Sequence, residues 1–514
     1  MLRKLLPTLF FLCCASFAAE RPNILFIMTD DQWRREFNFL PEGRDGQGKV
    51  RNLTPTIDKL SSEGIILDRM YATSTVCTPS RYSILSGEYP SRSLDSGFLR
   101  DMKDYGNQPN PHFNVHITPG KANMGSVLKA NGYFTGFAGK NHVIHDEAIK
   151  VPSIKPFRNA DPFDAKTQAY LQKKQAAEVQ RVLNNGFDFA GSIYAGNVPG
   201  HMPVEMEAHN MDWVTKAGLD FLNLAEKQEK PFYLHFCTTL NHGPGPAGEK
   251  YSADPRFTAA GVLEEKLRVQ PSRESIIERL KAAGIPYKGD HSDPLWLDDG
   301  ITAIVNKIDQ MGKLDNTIIF FFNDNGMGAK GALYEGGALS PTFVWGKPLK
   351  GGRRLNQLLA NIDFAPTVYE LCGIRKELQP KMDGKSFVSL LKGDDKPVNE
   401  AVFLQIGSTR AVLKDEFKYI AWRIHPDREK NFDVKIKDKA LYHIASTRGG
   451  RGLEKKIPKN YKAYWDKDQL YDLRKDRKEQ INLAKNPEYA QKLKSMQKLL
   501  SDHIKEQPGT FGEF

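Results

Sequence analysis

Four segments of the chain repeat one pattern: a short, nearly continuous apolar run followed by a polar cluster. They are "NILFIM" before Thr29-Asp30-Asp31-Gln32, "YFTGFA" before Gly139-Lys140-Asn141-His142, "PFYLHFCTTL" before Asn241-His242, and "TIIFFF" before Asn323-Asp324-Asn325-Gly326. Apolar runs of strand length predict strands covered on both faces, as in parallel α/β sheets. Helical patterns lie between them, in "TPTIDKLSSEG", "MGSVLKANG" and "DDGITAIVNKIDQMG", the last two ending in glycine as helices often do. Open α/β sheets bind ligands beyond the carboxyl ends of their strands. The four polar clusters are therefore expected on one edge.

Near residue 400 the texture changes. "AVFLQIG", "RAVLKD" and "FKYIAW" read as short antiparallel strands joined by tight turns. "QLYDLRKD" adds a strand, and "PEYAQKLKSMQKLLSDHIKE" reads as a closing amphipathic helix. Residues 424–465, rich in Lys, Arg and Gly, are expected to form a long insertion or loop. No internal repeat or low-complexity tract appears. The expected division is 1–18, 19–395 and 396–514.

Residues 1–18 read as a signal peptide. Arg3 and Lys4 precede the apolar "LLPTLFFLCCASF", and "SFA" precedes Ala19. The run is too short to span a bilayer, and no later segment reaches about 18 apolar residues. The expectation is an exported protein, periplasmic or secreted, without stable membrane insertion. Five cysteines are present. Two lie in the leader, leaving Cys77, Cys237 and Cys372, an odd number that makes no disulfide framework. Cys237 and Cys372 sit in apolar runs and read as small buried hydrophobes. Cys77 is in polar surroundings. The net charge of +11 favours polyanionic partners. No nucleic-acid motif accompanies it; in an exported protein sulfated or uronate-rich glycans are the expected class, and a basic surface kept for solubility is the plainer reading.

Cys77 opens "CTPSRYSILSG". Thr78 suits an N-cap, Pro79 the first helical position and Gly87 the helix end. Cys77 would then sit just before a helix N-terminus, where backbone N–H groups favour an anion. Arg81 is poorly placed for that dipole and is better explained by reaching toward an anionic group. Asp30, Asp31, Asp324 and Asn325 come from two strand ends. Carboxylates packed at about 4 Å repel by about 4 kcal/mol per pair at an effective dielectric near 20. A cation removes that cost, and an all-oxygen set points to Ca²⁺ or Mg²⁺ rather than Zn²⁺. The plainer reading of Asp30-Asp31 is a loop or helix cap.

Cys-x-Pro-x-Arg, followed by Leu85 and Gly87, resembles the signature of type I sulfatases, in which this cysteine becomes formylglycine. The resemblance runs through most of the chain after the leader, in order: "RPNILFIMTDDQ", "TPTIDKLSSEGIILDRMYATSTVCTPSR", "GYFTGFAGKNH", "DDGITAIVNKIDQMGKLDNTIIFFFNDNG", "KGALYEGG", "MDGKSFVSLLKG" and "LYDLRKDRKEQINLAKNPE". The family usually has Trp at the position of Asn141. The resemblance implies an α/β, alkaline phosphatase-like sandwich. Its large mixed, mostly parallel sheet would be covered by helices, with a smaller C-terminal domain of a short antiparallel sheet and a closing helix.

It further implies one Ca²⁺ held by Asp30, Asp31, Asp324, Asn325 and the modified Cys77, with Gln32 a further candidate. Arg81, Lys140, His142, His242 and Lys330 would surround the nucleophile and the sulfate. His142 would hold or deprotonate the formylglycine hydrate, and Lys330 would bind sulfate and protonate the leaving group. Glu335 would anchor a loop or back the site. His145 reads as structural, while His201, His209, His291 and His425 are not ranked. The implied partners are a sulfated glycan substrate and a formylglycine-generating maturation enzyme, with no nucleic acid. The alternatives are a formylglycine-type phosphoesterase or phosphonate monoester hydrolase, an inactive glycan-binding scaffold, and a hydrolase using Cys77 as thiolate.

Overall fold

A computed structural model describes residues 21–104, 106–243, 253–287, 292–426, 457 and 459–512. The main sheet has eight strands: β1 (Asn23–Thr29), β2 (Ile65–Leu67), β3 (Phe134–Lys140), β4 (Phe189–Tyr194), β5 (Phe232–Cys237), β6 (Thr317–Asn323), β7 (Thr342–Trp345) and β8 (Arg353–Leu355). Their order is β8-β2-β7-β6-β1-β5-β3-β4. Every neighbouring pair is parallel except those of β7, which runs against both β6 and β2. The four apolar runs of the sequence are β1, β3, β5 and β6, and they lie side by side at the centre.

Both faces of this sheet are covered, which is why its central strands read as continuous apolar runs. Leu25 and Ile27 of β1 point into one apolar cluster, and Ile24, Phe26 and Met28 into the other. The first cluster is completed by residues of helices α1 (Pro55–Glu63), α4 (Met211–Ala225) and α5 (Ser292–Gln310), and the second by α2 (Cys77–Ser86), α3 (Met124–Ala130) and α6 (Phe364–Leu371). Each Leu, Ile or Phe fully buried in these layers contributes about 1.5–3 kcal/mol.

Helix α2 begins earlier than its sequence signals suggest. Cys77 is its first residue, Val76 occupies the N-cap without a side-chain bond, and Pro79 is third rather than first. Thr78 is therefore inside the helix and does not cap it; its Oγ1 is buried without a hydrogen-bond partner. Proline remains tolerated there because the N–H groups of the first turn have no intrahelical acceptor. Gly87 closes the helix as expected, at φ 70°, with its N–H on the Ser83 carbonyl. Cys77 and Arg81 are four residues apart, so they share one helix face.

The C-terminal part forms four consecutive antiparallel strands, β9 (Val402–Ile406), β10 (Thr409–Lys414), β11 (Phe417–Trp422) and β12 (Asp468–Asp472), with the closing helix α7 (Ala490–Lys505). Alternation along β10 divides its residues. Ala411 and Leu413 join the cluster shared with Leu333, Tyr334 and Leu339 of the α/β body, whereas Val412 packs with Met496 and Leu500 of α7. Residues 1–18, expected as a leader, and most of the basic stretch 424–465 lie outside the described residues. Among the described residues, no helix is long and apolar enough to cross a membrane.

Candidate active site

The carboxyl ends of β1, β3, β5 and β6 meet the first turn of α2. Thr29 pairs with Asn323 in the parallel ladder, so Asp30 and Asp324 leave the sheet as neighbours. The Asn323 side-chain oxygen accepts from Thr29 Oγ1 at 3.1 Å and from the Gln32 N–H at 3.2 Å, which ties the two strand ends together. Asp31 turns at φ 55°, and its N–H donates to Asp324 Oδ1 at 3.2 Å.

Arg81 binds both neighbouring carboxylates through one nitrogen. Its Nη2 lies 2.9 Å from Asp30 Oδ2 and 3.1 Å from Asp324 Oδ2, while Nη1 donates to the Lys140 carbonyl at 3.1 Å. This is the anionic partner that the first-turn arginine was expected to have. Lys140 Nζ pairs with Asp30 and donates to Asn197 Oδ1 at 2.7 Å. Lys330 Nζ contacts both oxygens of Asp31, reaching Oδ1 at 2.6 Å. His242 Nε2 stands 3.3 Å from Asp31 Oδ2.

Cys77 Sγ occupies the middle of this cluster, fully buried, 3.5 Å from Lys330 Nζ, 3.8 Å from Asp30 Oδ1, and 3.9 Å from both Lys140 Nζ and Asn325 Nδ2. Burial, reinforced by Asp30, pushes its thiol well above the ordinary range despite the two lysines. That is the opposite of what a thiolate nucleophile requires. Burial alone would raise Asp30, but Lys140 and Arg81 outweigh it and hold the carboxyl well below its usual range. Asp324 goes the other way: burial and the Asp30 charge push it up to about 7.

Three carboxylates, Asp30, Asp31 and Asp324, thus face the same space, and the chain meets them with Arg81, Lys140 and Lys330. Asn325 Oδ1 also faces inward, buried and without a hydrogen-bond partner. An orphaned amide oxygen beside three carboxylates fits an oxygen-coordinated divalent cation, since a lone buried acceptor otherwise costs about 1–3 kcal/mol. Of the further candidate, Gln32, the amide nitrogen donates to Glu36 at 3.3 Å and Oε1 is buried without a partner.

His142 stands slightly apart. Its backbone turns at φ 56°, its ring stacks on Phe113 with centroids 5.8 Å apart, and Nδ1 is buried without a partner. Burial and the charges of Lys140 and Arg81 hold the imidazole neutral, well below its ordinary pKa. Gly196 passes this ring so closely that a Cβ there would lie 3.3 Å from His142 Cδ2 and 3.1 Å from His201 Nε2.

His145 belongs to another cluster, beside His116 with ring centroids 5.3 Å apart, where His116 Nδ1 meets Asp95 Oδ2 at 3.0 Å. His209 bonds Thr239, His425 packs over Gly106, and His291 lies outside the described residues. Two participants escaped sequence reasoning. Asn197 follows β4 in the same strand-then-polar pattern, but β4 is half-buried over its first three residues and interrupted by Gly191, so it reads less clearly as a strand. Ser80 donates to the Asp324 carbonyl at 2.6 Å and was hidden inside the helix motif.

A family model described as Sulfatase matches residues 22–374. The chain is 23% identical over 499 residues to an ulvan-active sulfatase of Formosa agariphila, covering 94% of this chain and 74% of that protein. It is 22% identical over 436 residues to the N-acetylgalactosamine-6-sulfatase of Mus musculus, covering 79% of this chain and 73% of the relative. Among solved structures, one in complex with its substrate D-glucosamine-2-N,6-O-disulfate aligns with a TM-score of 0.57 at 17% identity, over 95% of this chain and 98% of that one. The PsFucS1 sulfatase from Pseudoalteromonas sp. also aligns with a TM-score of 0.57, at 19% identity, over 96% and 92%.

Proposed function

The chain belongs to the sulfatase family and is a sulfuric ester hydrolase, and from that premise we propose that it removes sulfate from a sulfated polysaccharide or oligosaccharide, with Cys77 matured to formylglycine. One observation carries the mechanistic part: Cys77 Sγ, at the first turn of α2, is enclosed by Lys330, Lys140, Asp30 and Asn325 within 3.9 Å. Its thiol is raised rather than lowered, which argues against thiolate chemistry. Sγ marks where the hydrate oxygens of the matured residue would stand. As an aldehyde hydrate, residue 77 supplies two hydroxyls on one carbon, one to attack sulfur and one to release sulfate afterwards.

The surrounding residues have separable tasks. Lys140 and Lys330 flank the nucleophile and stabilise charge developing on the sulfuryl oxygens. Lys330, held charged by Asp31, protonates the leaving oxygen. Burial would lower Lys330, but Asp31 and the neighbouring acidic groups raise it above the ordinary lysine range. It therefore gives up its proton late, as the alkoxide forms. His142, kept neutral, accepts the proton of the attacking hydroxyl. His242 meets the leaving side next to Asp31. Arg81 fixes Asp30 and Asp324 in register. Asp30, Asp31, Asp324 and Asn325 would hold Ca²⁺, which when bound polarises the sulfate as a Lewis acid.

The net charge of +11 and the sulfated-glycan activities named for the relatives support the substrate class. Export to the periplasm or medium, and a maturation enzyme acting on Cys77, complete the reading. The test is sulfate release from a panel of sulfated polysaccharides and their oligosaccharides, with a phosphate monoester arm. Mass spectrometry of the Met70–Arg81 tryptic peptide would first establish aldehyde at residue 77. Release from one glycan names the substrate. Silence of fully converted, Ca²⁺-loaded protein on every sulfated substrate, with turnover of the phosphate ester, would overturn the reading.

A further inference from the structure

Lys330 sits on a loop whose next residues are held from outside the α/β body. From within the body, Gly331 N–H bonds the Thr75 carbonyl at 3.0 Å, two residues before Cys77. Leu333, Tyr334 and Glu335 are instead gripped by the C-terminal sheet. Lys418 of β11, wholly buried, donates to the Leu333 carbonyl at 3.1 Å and lies 2.7 Å from Glu335 Oε1 and 2.8 Å from Glu479 Oε1. Glu479 Oε2 accepts the Glu335 N–H at 2.6 Å. Tyr334 stacks on Tyr461 with centroids 3.8 Å apart, and its hydroxyl donates to Gln469 of β12 at 2.9 Å. Tyr71 adds one donor to Glu335 from the body, at 3.2 Å.

A buried Lys between two carboxylates is costly to assemble unless its charge is matched; here Lys418 hydrogen-bonds Glu479 and the Leu333 carbonyl, while Glu335 Oε1, without a hydrogen bond of its own, is held by the Lys418 charge. Nothing in the packing of the sheet requires charge at this spot, because Leu404, Ile406, Ala411 and Leu413 supply the apolar contact beside it. What the triad adds is direction: it fixes both the backbone and the side chains of residues 333–335, three to five positions beyond Lys330.

We propose that Lys418 and Glu479 are positioning residues for turnover, clamping the Leu333–Glu335 segment so that Lys330 Nζ is held between Asp31 and residue 77. The C-terminal sheet is then part of the catalytic apparatus although none of its residues touches the reacting atoms. This rests on the role given to Lys330 above.

A double-mutant cycle tests it. Glu479→Gln and Lys330→Ala are made singly and together in fully matured, Ca²⁺-loaded enzyme. kcat/KM, fraction of aldehyde at residue 77 and melting temperature are measured for each. Glu479→Gln is expected to lower kcat/KM by about tenfold or more in the parent and by less than about twofold in the Lys330→Ala background. Equal losses in both backgrounds, or no loss in the parent, would overturn the clamp while leaving the sulfatase reading intact. Full activity of Lys330→Ala would remove the role of Lys330 and the clamp together. Should Glu479→Gln fail to fold, Glu335→Gln removes the charge that Lys418 holds on the clamped segment and carries the same comparison.

Discussion

Lys140 Nζ lies 2.7 Å from the side-chain oxygen of Asn197 while also pairing with Asp30. Two strand ends, those of β3 and β4, therefore share one lysine at the edge of the Cys77 pocket. Without Asn197 the ammonium would be drawn wholly onto Asp30 and away from an incoming sulfate. A hydrogen bond to a charged group contributes about 1.5–3 kcal/mol, so Asn197→Ala is expected to lower kcat/KM by about 10- to 100-fold. Asn197→Asp adds a carboxylate facing the sulfate and should lower it further. Steady-state kinetics on the two variants, with melting temperatures near the parent's, checks both.

The four central strands could be read from their apolar runs because burial on both faces leaves no polar alternation to confuse the period. β7 and β8 could not, being only four and three residues long, too short to show a period. For the site, residues at or just beyond the carboxyl ends of the apolar strands were legible: Asp30 and Asp324 follow β1 and β6 directly, Lys140 ends β3, and His242 lies in the polar stretch beyond β5. Asn197 follows the same rule after a weaker strand. The start of α2 was misjudged because Thr78-Pro79 carries the residue types of a cap. Local propensity yielded there to the need to place Cys77 inside the carboxylate pocket. The roles of Lys418 and Glu479 had no local signal, since they depend on contacts across 85 and 144 residues.

Arg81 is the buried link between Asp30 and Asp324. Removing one member of a buried, hydrogen-bonded charge group costs about 3–5 kcal/mol, so Arg81→Ala should lose about that much stability along with turnover. Arg81→Lys keeps the charge but not the fork that reaches Lys140 and two carboxylates together. It is expected to fold and to lose at least about 100-fold in kcat/KM, near 2.7 kcal/mol of transition-state stabilisation. Chemical denaturation separates the two variants; equal stability of Arg81→Ala and the parent would contradict the linking role.

Chelation should stop turnover and Ca²⁺ should restore it, because three carboxylates and the orphaned Asn325 oxygen converge on one space. Asn325→Ala removes one neutral oxygen while leaving the carboxylates. The expected result is about tenfold weaker Ca²⁺ dependence of activity, with recovery at saturating Ca²⁺. The readout is the half-saturating Ca²⁺ concentration in matured enzyme. Turnover insensitive to both chelator and this substitution would exclude the site assigned to the cation.

His503 ties the closing helix to the rest of the chain and gives it a defined response to acid. Its ring stacks on Phe403 of β9 with centroids 3.7 Å apart and meets the edge of Tyr89 at 4.9 Å. Burial, opposed by Asp383 and aided by Arg92 and Arg410, lowers its pKa from 6.5 to about 4. A histidine lowered on folding binds protons more tightly when unfolded. Its stabilising contribution is present above about pH 6.5 and is lost as pH falls toward 4. The drop from 6.5 to about 4 sets an upper bound of about 3 kcal/mol, reduced by the ring's partial exposure to solvent. Asp298 and Asp363, raised by burial to about 7 and about 6, act in the opposite sense over part of this range. The parent therefore has to be compared with His503→Phe, which keeps a stacked ring and cannot titrate. Denaturation at pH 7.5 and 4.5 should show the variant losing less stability than the parent by about 1–3 kcal/mol. Identical losses would mean that His503 binds its proton equally well in the folded and unfolded chains.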